Sequence, residues 1–260
     1  MQQEEQQTEH HSQDTQPVLW SLANGLQVVC LPLKYVEYVA ADIILPGGVI
    51  NDPEGKAGSS LLLAELLSRG VGTMSSQELL TAFDDHGIRH GESGSSLSLS
   101  LRSSFLPQET KRALELMSMM LREPSFPEEA VDPVKALFLH DLRSVRENPS
   151  RWAMLELSNR YFPAPFNKSP LGEEEDILSL TQSALKEQWF GRFGPKGAVL
   201  SVAGRVDVDE LKGAIEQYFS PWKGECEEIP ELTEFPKRRS VYLNYPGAQQ
   251  QLLFRYPSPP

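Results

Sequence analysis

Histidines and acidic side chains are the groups in this chain whose types and spacing could support chemistry. There are five histidines: the adjacent His10 and His11, then His86, His90 and His140. His86 and His90 stand four apart, the separation at which two side chains on one helix face can share a zinc ion. Gly87 and Gly91 interrupt a helix at that point, so His90 is expected on the following strand. Residues four apart on a strand lie about 13 Å from one another, too far to share an ion. His140 precedes Asp141 and could approach them in space, against which stands the plainer reading of surface or hydrogen-bonded histidines. Cys30 and Cys226 form neither a disulfide framework nor a CxxC pair, which leaves the compartment open. The chain contains no GxSxG, Walker A, HExxH or HxxEH sequence, and no GxGxxG after a strand.

The elements that must position these groups are legible from pattern. Asn24-Gly25 between two apolar runs predicts a hairpin from residue 18 onward, and a third strand is expected over 38–45. Pro46-Gly47-Gly48 ends it, and residues 57–68 have helical length and composition. Ser75-Ser76-Gln77-Glu78 offers a capping box for a second helix ending near Gly87. Leu97, Leu99 and Leu101 alternate with serines, the signature of a half-buried strand. Helices are expected over 108–121, 128–146, 152–161 and 182–193, with prolines 163, 165 and 170 marking a loop. The acids Glu173 to Asp176 suit the first turn of a further helix. A strand over 198–202, a helix over 208–219 and strands near 241–244 and 250–254 complete the series. Mixed strands and helices in this order predict an α+β sandwich, a largely antiparallel sheet covered by helices on one face. Trp189, Trp222 and Phe219, at element ends, read as core.

Composition narrows the function classes. The 260 residues carry 36 acids against 24 Lys and Arg, a net charge of −12, which argues against a nucleic-acid binder. Lys237-Arg238-Arg239 is too short a basic run to change that. With 40% hydrophobic and 23% charged residues the chain can bury a substantial core. No apolar run approaches the roughly 18 residues of a membrane span, so the protein reads as soluble. Residues 1–17 hold six Gln, four acids and no Lys or Arg, which reads as a disordered tail with no recognisable signal peptide, ahead of one domain over 18–260.

Several segments together carry a resemblance. NGLQVVCLP, LPGGVINDPEGKAG, GSSLLLAELLSRGVGTMSSQEL, FDDHGIRHGESGSSLSLSL, RENPSRWAMLELSNRYFPAPFNKSPLG and GAVLSVAGRVDVDELKGAIEQYFSPW occur in that order. The order and wording resemble the insulinase/pitrilysin family of zinc metallopeptidases, which includes the mitochondrial processing peptidase and the core subunits of the respiratory bc1 complex. The last of these segments is the most specific, and the likeness covers nearly all of residues 18–260.

The resemblance implies a half-unit of a peptidase fold and a particular site. In the family an inverted motif, HxxEH, puts two histidines on one helix face with a glutamate that polarises the zinc-bound water. Matching the flanking glycines to Gly58 and Gly70 places Leu61 at the first histidine, Ala64 at the catalytic glutamate and Glu65 at the second histidine. Asp141 matches the third ligand, a glutamate from a later helix. The chain is therefore identified as a non-catalytic member of the family, with no zinc expected, its LLLAELL stretch a buried helix and Glu65 held by a nearby arginine or left at the rim. Family members work as paired halves or subunits, which implies a second insulinase-like half or active subunit as partner. A peptide is expected to add along a sheet edge near Gly91, Glu92 and Ser93. The alternatives are a metal-dependent peptidase with a rearranged set drawn from Glu65, His140 and Asp141, and a purely structural subunit of a larger complex.

Overall fold

The computed structural model describes residues 16–233, 240–245 and 250–256. Most of the expected tail, with His10 and His11, and the Lys237-Arg238-Arg239 run lie outside them. The hairpin is β1 (Val18–Ser21) and β2 (Gln27–Pro32), turned at Gly25, whose φ of 91° suits glycine. Asn24 fastens the turn to the far end of the chain, its Nδ2 donating to the carbonyls of Phe219 and Trp222 at 2.8 and 3.1 Å. With β3 (Val39–Pro46), β6 (Arg89–Gly94), β7 (Ser98–Phe105) and β8 (Val199–Gly204) the hairpin builds a six-stranded sheet in the order β1-β2-β8-β3-β7-β6. Only β2 and β8 pair in parallel, so the sheet is largely antiparallel as expected.

Alternation decides which face is covered. In β3, Val39, Ala41, Ile43 and Leu45 are buried, while Ala40 and Ile44 face outward. Leu99, Leu101 and Phe105 of β7 and Leu200 and Val202 of β8 continue the buried face. Leu97 does not: it lies in the turn before β7 and is exposed.

Helices cover the buried face. They are α1 (Ser59–Leu66), α2 (Ser76–Asp84), α3 (Thr110–Arg122), α4 (Glu128–Glu147), α6 (Glu174–Ser179), α7 (Gln182–Arg192) and α8 (Val208–Phe219), while α5 (Pro149–Tyr161) packs on α4 and buries no residue. Trp189, Phe219 and Trp222 are core residues; Trp189 stacks on Phe193 and donates its indole N–H to the carbonyl of Leu121 at 3.1 Å. Helix α1 is shorter than the pattern suggested and tightens into a 3-10 turn over Leu67–Arg69. A hairpin of two-residue strands, β4 (Gly70–Val71) and β5 (Met74–Ser75), then leads into α2.

The capping box forms as read: Ser75 Oγ accepts from the Glu78 amide while the Glu78 carboxylate accepts from the Ser75 amide; that bond and a second from the Ser75 hydroxyl hold the Glu78 carboxyl below its usual range. Replacing Ser75 with alanine is expected to cost about 1 kcal/mol, measured as a shift in the urea unfolding midpoint.

The two strands expected near 241–244 and 250–254 are not formed among the described residues. Strand structure needs a partner ladder, and neither segment pairs with an edge of the described sheet. They run instead beside the end of α4 and beside α5, where the Tyr245 hydroxyl donates to the carbonyl of Arg146 on α4 and Arg255 to Ser158 Oγ on α5.

Candidate functional site

Helix α1 lies against β6, β7 and α4, and every residue in it except Glu65 is buried. Leu61 packs so closely on the edge strand that a Cβ on Gly94 would stand 2.9 Å from Leu61 Cδ2; the bare backbone of Gly94 is what admits the helix. Ala64 is 2% exposed. Glu65 points to the rim and forms an ion pair with Arg69 one turn on, the outcome expected for that carboxylate. The face of α1 thus presents two hydrocarbon side chains and a carboxylate already engaged by a guanidinium. Asp141 sits on α4 with its neighbour His140, both exposed. Such a donor set, with no imidazole, no free base and one carboxylate committed, does not fit a zinc ion.

The histidines are separately engaged. His86 Nδ1 donates to Glu109 at 2.7 Å, and His90 Nδ1 to Glu92 at 2.8 Å, with the His90 ring lying 4.0 Å from that of Phe83. His90 is on β6, so the break read from Gly87 and Gly91 is where the structure puts it. Among the described residues no group of three or more His, Cys, Asp or Glu is arranged to hold a metal, so Glu65, His140 and Asp141 are not brought together as a site. The cysteines are inert by burial, which pushes the Cys30 thiol up and that of Cys226 to about 11; Cys226 donates its proton to the carbonyl of Gly194.

Gly91, Glu92 and Ser93 do lie on the sheet's edge strand, β6, which pairs with β7 on its inner side. Gly91 and Ser93 face outward and are exposed, Ser93 Oγ meeting Ser100 Oγ at 2.9 Å, while Glu92 turns inward to His90. On the same outer face Arg102 of β7 reaches Asp42 of β3 at 3.4 Å. Partial burial raises the Asp42 carboxyl from its usual value, and the guanidinium opposes this.

The residues that sequence reasoning missed are those that hold α1 in place. Asp52, in the loop after β3, is 2% exposed and receives the amides of Gly58 at 2.7 Å and Ser60 at 3.1 Å, with the hydroxyls of Ser59 and Ser60. Its carboxylate therefore caps α1 from outside the helix. Arg192, at the end of α7 and 5% exposed, reaches Asp52 at 3.3 Å, Gln188 Oε1 at 2.9 Å and Glu227 at 3.0 Å. Lys168 ties the same loop down through the carbonyls of Ile50, at 2.9 Å, and Asp52. The signal was present as the run Asn51-Asp52-Pro53-Glu54-Gly55, but its partner lies 140 positions away.

Known proteins are similar to this chain in sequence and in fold. The family model described as "Insulinase (Peptidase family M16)" matches residues 28–171, and "Peptidase M16 inactive domain" matches residues 179–260. An "Uncharacterized zinc protease" of Rickettsia felis is 24% identical over 203 residues, 78% of this chain and 49% of its own length. "Non-peptidase homolog YmxG" of Helicobacter pylori is 23% identical over 213 residues, 80% of this chain and 48% of its own. The crystal structure of a peptidase M16 inactive domain from Pseudomonas fluorescens superposes with a TM-score of 0.78 at 20% identity, over 85% of this chain and 54% of that one. This chain spans about half the length of the curated relatives it matches. No helix among the described residues is long and apolar enough to cross a membrane. With the family match covering more than half of the chain and the sheet, covering helices and α1 in the order expected, the chain belongs to the insulinase family, peptidase family M16.

Proposed function

We propose that this chain is a non-catalytic, insulinase-like half that pairs with a second half or an active subunit and helps form a peptide-binding chamber. The observation that carries the reading is the α1 face. Leu61, Ala64 and Glu65, at the positions proposed for the two histidines and the base, provide two hydrocarbon groups and one carboxylate bound to Arg69. Zinc hydrolysis of this design needs its ligands and base together, and Asp141 alone on α4 does not replace them. The half-length coverage of the relatives supports a two-part unit.

Peptide is proposed to add to β6 beside Gly91, Glu92 and Ser93, where an edge strand can offer main-chain hydrogen bonds. The test is a peptidase assay on the purified chain, alone and mixed with an M16 partner carrying an intact HxxEH. Alone, it is expected to show no hydrolysis that a chelator abolishes; chelator-sensitive cleavage overturns the reading. With the partner, co-purification and a changed KM for peptide are expected. Co-purification with KM and kcat unchanged would instead favour a purely structural subunit.

A further inference from the structure

We propose that the cavity between the β4–β5 hairpin, the start of α2 and the first half of α4 binds the free carboxylate end of a peptide whose last side chain is apolar. The cavity holds about 630 Å³, within the range that small-ligand sites occupy, and no residue of β6 lines it. The proposal takes from the preceding reading only the ligand class; the site is a different one.

One wall is polar and only partly committed. Glu65 engages only Nη2 of Arg69, and the buried Nε beside it has no acceptor. The side chains of Thr73, Gln77 and Ser125 also line the cavity and make no hydrogen bond among the described residues. They supply donors and acceptors of the kind that a peptide's amide groups complete, whereas the chain of a plain fatty acid makes no bond to them. The opposite wall is Pro127, Ala130, Pro133, Val134 and Leu137, with Leu137 48% exposed. Charge sets the rest. Arg69 excludes a cationic end, whereas Glu129 in the lining and the net charge of −12 disfavour more than one negative charge. A single carboxylate beside an apolar side chain satisfies both walls.

Fluorescence titration with N-dansyl Ala-Ala-Ala-Leu, as free acid and as C-terminal amide, tests this. The acid is expected to bind about tenfold more tightly than the amide, since a carboxylate accepts charge-assisted bonds from the guanidinium. Arg69→Gln should remove that difference, and Leu137→Glu, a change at an exposed position, should weaken the acid. Glu65→Gln releases Arg69 from its partner and should tighten binding, the opposite of what general damage to the fold would do. Equal binding of acid and amide overturns the cavity site, and is the result that main-chain addition to β6 gives. Binding of neither peptide overturns it as well, and then counts against the peptide reading of β6 too. Binding that Glu65→Gln weakens, or that dodecanoate matches, also overturns it.

Discussion

Replacing Asp52 with alanine is expected to destabilise the protein by about 3–5 kcal/mol, the cost of breaking a buried ion pair from one side. The carboxylate is the common acceptor for two backbone amides, two hydroxyls and the Arg192 guanidinium. Without it the amides of Gly58 and Ser60 lose their acceptor at the start of α1, and Arg192 keeps a buried positive charge facing only neutral groups and Glu227. Asp52→Asn retains an acceptor at the same place and should lose less. Combining Asp52→Asn with Arg192→Met should cost less than the two single changes summed, because the second removes the charge that the first leaves unpaired. Urea unfolding followed by far-UV circular dichroism gives all four values. A loss under about 1 kcal/mol for Asp52→Ala would mean that the network does not hold α1. Because α1 carries the positions on which the functional reading turns, this is a prediction about the site as much as about stability.

Local signals were the readable ones. The turn at Asn24-Gly25, the capping box at Ser75 and Glu78, and the helix Val208–Phe219 each depend on residues within a few positions, and each appears with close to the expected bounds. The family resemblance extended that reach to the succession of strands and helices along the chain, though not to the order of strands in the sheet. Two kinds of feature escaped. The β4–β5 hairpin uses strands of two residues, too short for any period to show, yet it forms one wall of the cavity. The Asp52–Arg192 pair and the Lys168 contacts join segments more than a hundred positions apart, and nothing in a local window indicates which buried acid will meet which base. The strands expected near 241–244 and 250–254 failed for the converse reason: their pattern is strand-like, but pattern does not supply a partner edge.

At Ala64, the position proposed for the family's base, introducing glutamate is expected to destabilise the chain by at least about 3 kcal/mol, through overpacking and an unpaired buried carboxylate. Ala64 is 2% exposed on a helix held between the edge strand and α4, and the one charged residue of α1, Glu65, avoids that interior by turning to Arg69 at the rim. Ala64→Gln has nearly the same volume without the charge, so the difference between the two variants isolates the electrostatic part. That difference has a definite pH dependence. Burial raises the folded pKa of an introduced carboxyl above the roughly 4.3 of the unfolded chain, so the charge penalty is absent below that value and grows as pH rises toward the folded pKa. The two variants should therefore converge in stability near pH 4 and separate by pH 7. If Ala64→Glu were instead within about 1 kcal/mol of the parent at pH 7, the position would be open to solvent. The proposed site would then be a vacant active site, one residue exchange closer to catalysis. The packing of Leu61 on Gly94 argues the other way: α1 sits too tightly on the edge strand to shift, so a glutamate at Ala64 alone would unseat the helix before it polarised any water.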